Sequence, residues 1–272
     1  MEITLHSESK TDIYQRVKNI NLIECLKKLH LITEESFVFN KGERGLAPFS
    51  PIEYASKFEE LTNLKIKFIN IEKPSMVDLI SNVIYLPMQN STKPFTYQNY
   101  RIAKALLCHE CSHLLYPDNS YFLHPNSTTY EKCRFYLCQT LDDLRIEALL
   151  ELEYSGIRED FKYLAEIFWD KEKAKDFSID LMGSLYWLLQ KQYRGVTFAY
   201  PYHFYKDSTS NFINGMEIFV IEKLVPFLDA FIKSRNPVLP IVDKMLDKIG
   251  NFLCPERSLD CPHCPDNGSP CA

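Results

Sequence analysis

The pentapeptide His109-Glu110-Cys111-Ser112-His113 places two imidazoles four residues apart, with a carboxylate directly after the first. Residues i and i+4 share one face of an α-helix, so both rings can reach a single metal ion. Zinc binds histidine nitrogen at ~2.0–2.1 Å, and the adjacent acid can act on a water at the open coordination position. The spacing therefore predicts His109 and His113 as metal ligands and Glu110 as a general base.

The residues around the motif favour a buried helix. Between residues 100 and 116 the apolar positions are Ile102, Ala105, Leu106, Leu107, Cys108, Leu114 and Leu115, and Pro117 then ends the pattern. A surface helix of this length would carry more charge. The alternative is that both histidines are hydrogen-bonded core residues and Glu110 is a solvated neighbour, an arrangement that needs no metal.

The composition limits the classes of function. The chain has 272 residues, 46% of them hydrophobic, and a formal net charge of −5. These values are ordinary for a folded protein and give no overall basic field for nucleic acid. No window approaches ~18 uncharged apolar residues, so no membrane-spanning helix is expected. The first thirty residues lack a basic start and a long apolar core, so we expect no secretory signal and a cytoplasmic location.

Hydrophobic periodicity predicts helices on both sides of a small sheet. The predicted helices, besides the motif helix, cover residues 13–29, 52–61, 129–154, 157–169, 179–192, 216–234 and 238–252. Strands are predicted over 64–71, which alternates strictly, and over 82–87, which is rich in strand formers. Strands followed by a metal-binding helix predict an α+β, zincin-like fold with a small sheet, an active-site helix and a largely helical C-terminal half. The predicted domains are a helical segment over 1–62 that packs on the core, a catalytic domain over 63–252 and a Cys-rich tail over 253–272.

A catalytic zinc usually has a third protein ligand, and the helix after the motif supplies the candidates. Asp143 and Glu147 lie four residues apart and therefore on one helix face. We predict that Asp143 is the third ligand and that Glu147 orients a ligand histidine by accepting its second N–H. Asp142 is a further supporting acid, and the substitute ligand if the helix is rotated. The alternative is an exposed acidic face balanced by Arg145.

Four segments occur in an order that is similar to a known family. They are Val83-Ile84-Tyr85-Leu86-Pro87, Cys108-His109-Glu110-Cys111-Ser112-His113-Leu114-Leu115, Leu141-Asp142-Asp143-Leu144-Arg145-Ile146-Glu147 and Tyr154-Ser155-Gly156-Ile157-Arg158. Over roughly residues 60 to 170 the chain resembles the metallopeptidase-like module of von Willebrand A-associated proteins and cobaltochelatase-type subunits. The resemblance implies a zinc metallopeptidase with a von Willebrand A domain or an ATPase as a partner. Two departures are that Asp142 stands where the family has Glu, and that no downstream von Willebrand A metal site is seen.

Four of the nine cysteines form a symmetric cluster near the C-terminus. The pattern is Cys254-x6-Cys261-x2-Cys264-x6-Cys271. Four thiolates at ~2.3 Å from one zinc ion can hold a segment too short for its own hydrophobic core. The cluster therefore predicts a structural zinc site, with an iron–sulfur cluster or reducible disulfides as the alternatives.

Together these patterns predict a zinc-dependent peptidase with one catalytic and one structural zinc ion. An edge strand near residues 83–86 is predicted to hold an extended protein or peptide substrate by main-chain pairing. The alternative function is a noncatalytic, metal-bound, peptidase-like adaptor that docks a von Willebrand A or ATPase partner. The intact Glu110 favours catalysis, because an adaptor has no chemical need for a general base.

Overall fold

The computed structural model of the chain describes residues 20–37, 39–40, 43–44, 49–71, 73–78, 81, 83–88, 92–118, 120–121, 129–172 and 237–253. These residues form a mixed α+β structure that is mostly helical and contains a small three-stranded sheet. The predicted fold class is confirmed at that level.

The described part of the chain contains six α-helices, one short 3-10 helix (Ser155–Ile157) and five strands. The helices are α1 (Leu22–Glu35), α2 (Pro51–Thr62), α3 (Tyr97–Leu115), α4 (Thr129–Glu153), α5 (Arg158–Glu172) and α6 (Leu239–Leu253). The strands are β1 (Phe39–Asn40), β2 (Glu43–Arg44), β3 (Lys65–Ile69), β4 (Met76–Asp78) and β5 (Val83–Pro87). None of the described helices is long and apolar enough to cross a membrane.

The three-stranded sheet has β5 at its centre. Its order is β3-β5-β4, with β3 parallel and β4 antiparallel to β5. The main-chain groups of β5 therefore bond to a neighbour on each side. The prediction that residues 83–86 form an edge strand able to pair with a substrate is wrong for this reason. β1 and β2 form a separate antiparallel pair.

Residues Met1–Pro117 and Leu149–Leu164 belong to one compact unit. In it α2 packs against β3, and α3 packs against β5 and β4. The helix α2 begins with a capping box, in which Ser50 and Glu53 each bond the other's backbone N–H. Fully buried side chains of this core include Leu22, Leu26, Leu29, Tyr54, Phe58, Ile84, Leu86, Tyr100 and Leu107.

Residues Asp118–Ala148 and Ala165–Ala272 belong to a second unit. In its described part, Arg134 of α4 forms a two-pronged ion pair with Asp243 of α6, at 2.7 and 2.8 Å. The Asp118 carboxylate accepts the Val238 N–H at 2.6 Å, just before α6 begins. The apolar face of α6 is buried at Val238, Val242, Met245 and Leu246. These contacts fix the position of α6 against α4, although the two helices lie far apart in the sequence.

Most predicted elements that fall on described residues are confirmed within a few residues. The exceptions are the first helix, which continues past residue 29 to Glu35, and the strands β1, β2 and β4, which were not predicted. The predicted helices over 179–192 and 216–234, the start of the first helix and the Cys-rich tail lie outside the described residues.

Candidate metal centre

The motif lies in α3, whose ends are set by local hydrogen bonds. The Thr96 side chain accepts a hydrogen bond from the backbone N–H of Asn99 at 3.2 Å, which is an N-cap. At the other end, the Tyr116 N–H donates to the Ser112 carbonyl at 2.9 Å. The helix begins earlier than the sequence predicts because Thr96 caps it there.

Both motif histidines are partly open in a stretch of helix that is otherwise buried. From Ala103 to Leu114 every residue is buried except His109 and His113, which are half-buried. Their ring centroids lie 4.9 Å apart, with the rings nearly perpendicular at 88°. Two rings on one helix face at this distance can direct nitrogens to a common point.

Glu110 is 3% exposed and is therefore not the solvated neighbour of the alternative interpretation. Burial raises the pKa of its carboxyl, while His109 and a hydrogen bond with the Ser75 side chain act in the opposite direction. A carboxyl with a raised pKa, held by one polar neighbour, is suited to accept and return a proton. Ser75 was not predicted, because nothing in the spacing of the sequence links it to the motif.

Asp143 supplies the third possible donor. One ring nitrogen from each of His109 and His113 and one carboxylate oxygen of Asp143 all lie within 4.8 Å of one another. All three residues are half-buried. Donors that share a zinc ion lie no more than about 4 Å apart, given bond lengths of ~2.1 Å.

Asp142 has a different set of partners. Its Oδ1 accepts hydrogen bonds from Arg145 Nε at 2.8 Å and Nη2 at 2.6 Å, and its Oδ2 accepts one from the Tyr121 hydroxyl at 3.1 Å. Asp142 and Arg145 are both buried. The predicted alternative of an exposed acidic face is therefore wrong at these positions. Because Asp142 is already paired, it is poorly placed to replace Asp143 as a ligand or to support a histidine.

Glu147 is buried at 8% exposure, one helical turn after Asp143 on α4. A buried carboxylate needs a partner that offers hydrogen-bond donors. This environment is compatible with the predicted role of Glu147 in orienting a ligand histidine, and that role stays a prediction.

Three of the described cysteines are free and buried. Cys108, Cys111 and Cys138 are unbridged, and burial raises the pKa of Cys138 to about 12. A thiol with such a pKa is neither a nucleophile nor a ready metal ligand. Within the described residues, the His109, His113 and Asp143 side chains are the one group found that could hold a metal. The four predicted thiolate ligands Cys254, Cys261, Cys264 and Cys271 lie outside those residues.

No family model matches the chain, and no curated protein or solved structure matches it. The resemblance to von Willebrand A-associated and cobaltochelatase-type proteins therefore stays a prediction from the motifs.

Proposed function

We propose that this protein is a zinc-dependent peptidase with a zincin-like fold, in which Glu110 is the general base. One observation carries the proposal: α3 presents two half-open imidazoles, 4.9 Å apart, beside a buried carboxylate. The nearby carboxylate of Asp143 supports it by completing a set of three donors.

The donor set fits zinc. Two imidazole nitrogens and one carboxylate oxygen are the ligands of a common type of catalytic zinc site, which keeps its fourth position for water or substrate. A buried acid that belongs to none of the three ligands is also present, as such a site requires. His109, His113 and Asp143 would hold the ion.

Zinc, when bound, supplies a Lewis acid that lowers the pKa of a water and polarises a carbonyl. The chain's own contribution is to move a proton. Glu110 accepts a proton from the attacking water as the new C–O bond forms, and it returns that proton to the amide nitrogen as the C–N bond breaks. The hydrogen bond with Ser75 holds the carboxyl in place during both transfers.

An extended substrate would lie along β4. In the described part of the chain β4 has β5 as its one strand neighbour, and it packs against α3. Ser75, which contacts Glu110, directly precedes β4. A peptide that pairs with the outer edge of β4 would place its backbone beside the general base.

The substitution Glu110→Gln tests the proposal. It keeps the size of the side chain but removes the proton acceptor, so we expect peptide cleavage to fall by at least about 100-fold. Zinc content per chain should stay unchanged, because Glu110 is not a ligand. Cleavage of a mixed library of quenched fluorescent peptides and elemental analysis of the purified protein measure the two quantities.

The matched comparison is His109→Ala, which should lose the catalytic zinc together with cleavage. Full cleavage by the Glu110→Gln protein would remove Glu110 from the mechanism. Zinc bound by the natural chain with no cleavage of any peptide would favour the metal-bound adaptor over the peptidase.

A further inference from the structure

β3 is an outer strand of the sheet and lies away from the motif. In the described part of the chain it pairs with β5 and with no other strand. Among the described residues, the other side of its backbone pairs with no strand. Its apolar residues Ile66 and Phe68 are half-buried, and α2 packs against the strand.

A groove of about 350 Å³ runs between β3 and α2. Its lining residues are Ile52, Ala55, Ser56, Glu59, Ile66, Lys67 and Phe68. Successive residues of a strand point to opposite faces, so a groove that touches Ile66, Lys67 and Phe68 opens along the edge of the strand. Ile52 at its rim is 40% exposed. A groove lined by both apolar and polar residues thus adjoins a strand edge that has no partner strand in the described part of the chain.

Two lysines lie on this strand, and one acidic residue, Glu59, lines the groove beside it. Lys65 and Lys67 are exposed and alternate with the apolar residues Ile66 and Phe68. Lys65 has an ion pair with Glu59 at 3.8 Å, in which both side chains are largely exposed, so this pair is weak. Lysines on an edge strand also discourage aggregation. That role does not explain why apolar groove residues are left partly open beside them.

We propose that β3 and this groove bind an extended segment of another protein, in which apolar residues alternate with acidic ones. The segment adds a strand to the outer edge of β3 and forms main-chain hydrogen bonds with it. Its apolar side chains enter the groove, while its acidic side chains lie opposite Lys65 and Lys67. Binding of a peptide to this surface does not require a metal ion at the motif histidines.

Binding of short capped peptides to the full-length chain tests the proposal. The probe is a fluorescein-labelled peptide of alternating valine and glutamate, followed by fluorescence anisotropy in the presence of a chelator. The control peptides are a block permutation of the same composition and an alternating valine–lysine peptide. We expect saturable binding of the valine–glutamate peptide and at least tenfold weaker binding of both controls. Methylation of the backbone nitrogens along one edge of the valine–glutamate peptide should abolish binding.

Two substitutions connect the binding to this edge. Lys67→Glu should weaken the binding of the valine–glutamate peptide about tenfold, because like charges then face each other. The valine–lysine peptide should then be the better ligand. Ile52→Ser should weaken the binding of both the valine–glutamate and the valine–lysine peptide, because it removes apolar contact in the groove. Lys28→Glu, on the exposed part of α1, is the matched control and should change neither.

Equal binding of the alternating and permuted peptides would overturn the proposal, as would binding that Lys67→Glu leaves unchanged. Concentration-dependent dimers that Lys67→Glu disrupts, with no peptide binding, would assign the edge to a second copy of the chain instead. Circular dichroism of each variant shows whether it is folded.

Discussion

Asp142 and Asp143 are adjacent in the sequence but have opposite surroundings. Asp142 is buried against Arg145, whereas the half-buried Asp143 lies within 4.8 Å of two imidazoles. A buried arginine that loses its paired carboxylate loses much of its charge compensation, and this destabilises the fold. One residue is therefore expected to support the structure and the other to bind the metal.

Exchange of each aspartate for asparagine separates the two roles. Asp142→Asn should destabilise the chain by about 3 kcal/mol, because the charge of Arg145 then lacks a full partner. Asp143→Asn should weaken zinc binding by at least about 100-fold, since it removes a charged ligand. Urea denaturation of the metal-free chain and competition with a zinc indicator measure the two effects. Loss of zinc in the Asp142 variant alone would reverse the assignment.

Glu151 makes the stability of the chain depend on pH. Burial raises its pKa to about 7, while Arg158 opposes the shift and Glu159 adds to it. A carboxyl whose pKa is raised in the folded state contributes most below its unfolded pKa of about 4.3, and that contribution is lost as the pH rises through 7. The charged form of Glu151 is therefore the destabilising one.

Glu151→Gln should raise the free energy of unfolding by about 1–2 kcal/mol at pH 8.5 and leave it unchanged at pH 4. This range is below the value for the full shift, because the side chain keeps some contact with solvent. Thermal or urea unfolding at both pH values provides the measurement. Glu60→Gln, at an exposed position of α2, is the control and should show no such difference. A gain of equal size at both pH values would rule out titration of Glu151 as the cause.

Among the helices, α3 is held to two neighbours by one buried cation. The Lys104 ammonium lies 2.8 Å from Glu34 of α1 and 2.9 Å from Asp160 of α5. Arg101, one turn earlier, also bonds Asp160. Because the charges are paired inside the unit, removal of one of them leaves the others buried without full compensation.

We expect Lys104→Met to destabilise the chain by about 3 kcal/mol, although methionine fills much of the same volume. Lys27→Met removes an exposed ion pair with Glu24 and is the matched control, with an expected loss below about 1 kcal/mol. Urea denaturation of both variants measures their losses in the free energy of unfolding. Equal losses would show that the buried position of Lys104 adds nothing to the stability that its ion pairs provide.

The sequence predicts helices well here because their patterns extend over several turns. The residues of α2, α3, α4 and α6 repeat apolar positions over ten residues or more, and a cap or proline marks several of their ends. β4 was missed because its three residues are too few to show an alternation. The burial of Arg145 was missed because it depends on Tyr121 and on neighbouring elements, which local spacing does not reveal.

At the candidate site, too, local spacing predicts residues on one helix but not contacts between separate elements. The roles predicted for His109, Glu110 and His113 follow from spacing on a single helix, and the structure places the two rings together. Asp143 comes from another helix, and its choice from the sequence depended on which face of α4 turns toward the histidines. The choice of Asp143 therefore stays a prediction. Ser75 could not have been chosen, because its contact with Glu110 arises from the packing of β4 against α3.

For the whole molecule, the number of metal ions per chain distinguishes two sites from one. We propose that the four thiolates Cys254, Cys261, Cys264 and Cys271 hold a structural zinc ion that is separate from the catalytic one. Such a site binds zinc without help from the rest of the chain, because all four ligands lie within one short segment. Removal of either site should therefore leave the other occupied.

Elemental analysis should find two zinc ions in the full chain and one in a variant with Cys261→Ser and Cys264→Ser. The His109→Ala chain should also hold one, and the combination of all three changes should hold none. Cys138→Ser, which alters a buried free thiol, is the control and should keep both ions. Iron with visible absorbance in place of the second zinc would assign the four thiolates to an iron–sulfur cluster. Loss of both ions in the double cysteine variant would mean that the two sites are not independent.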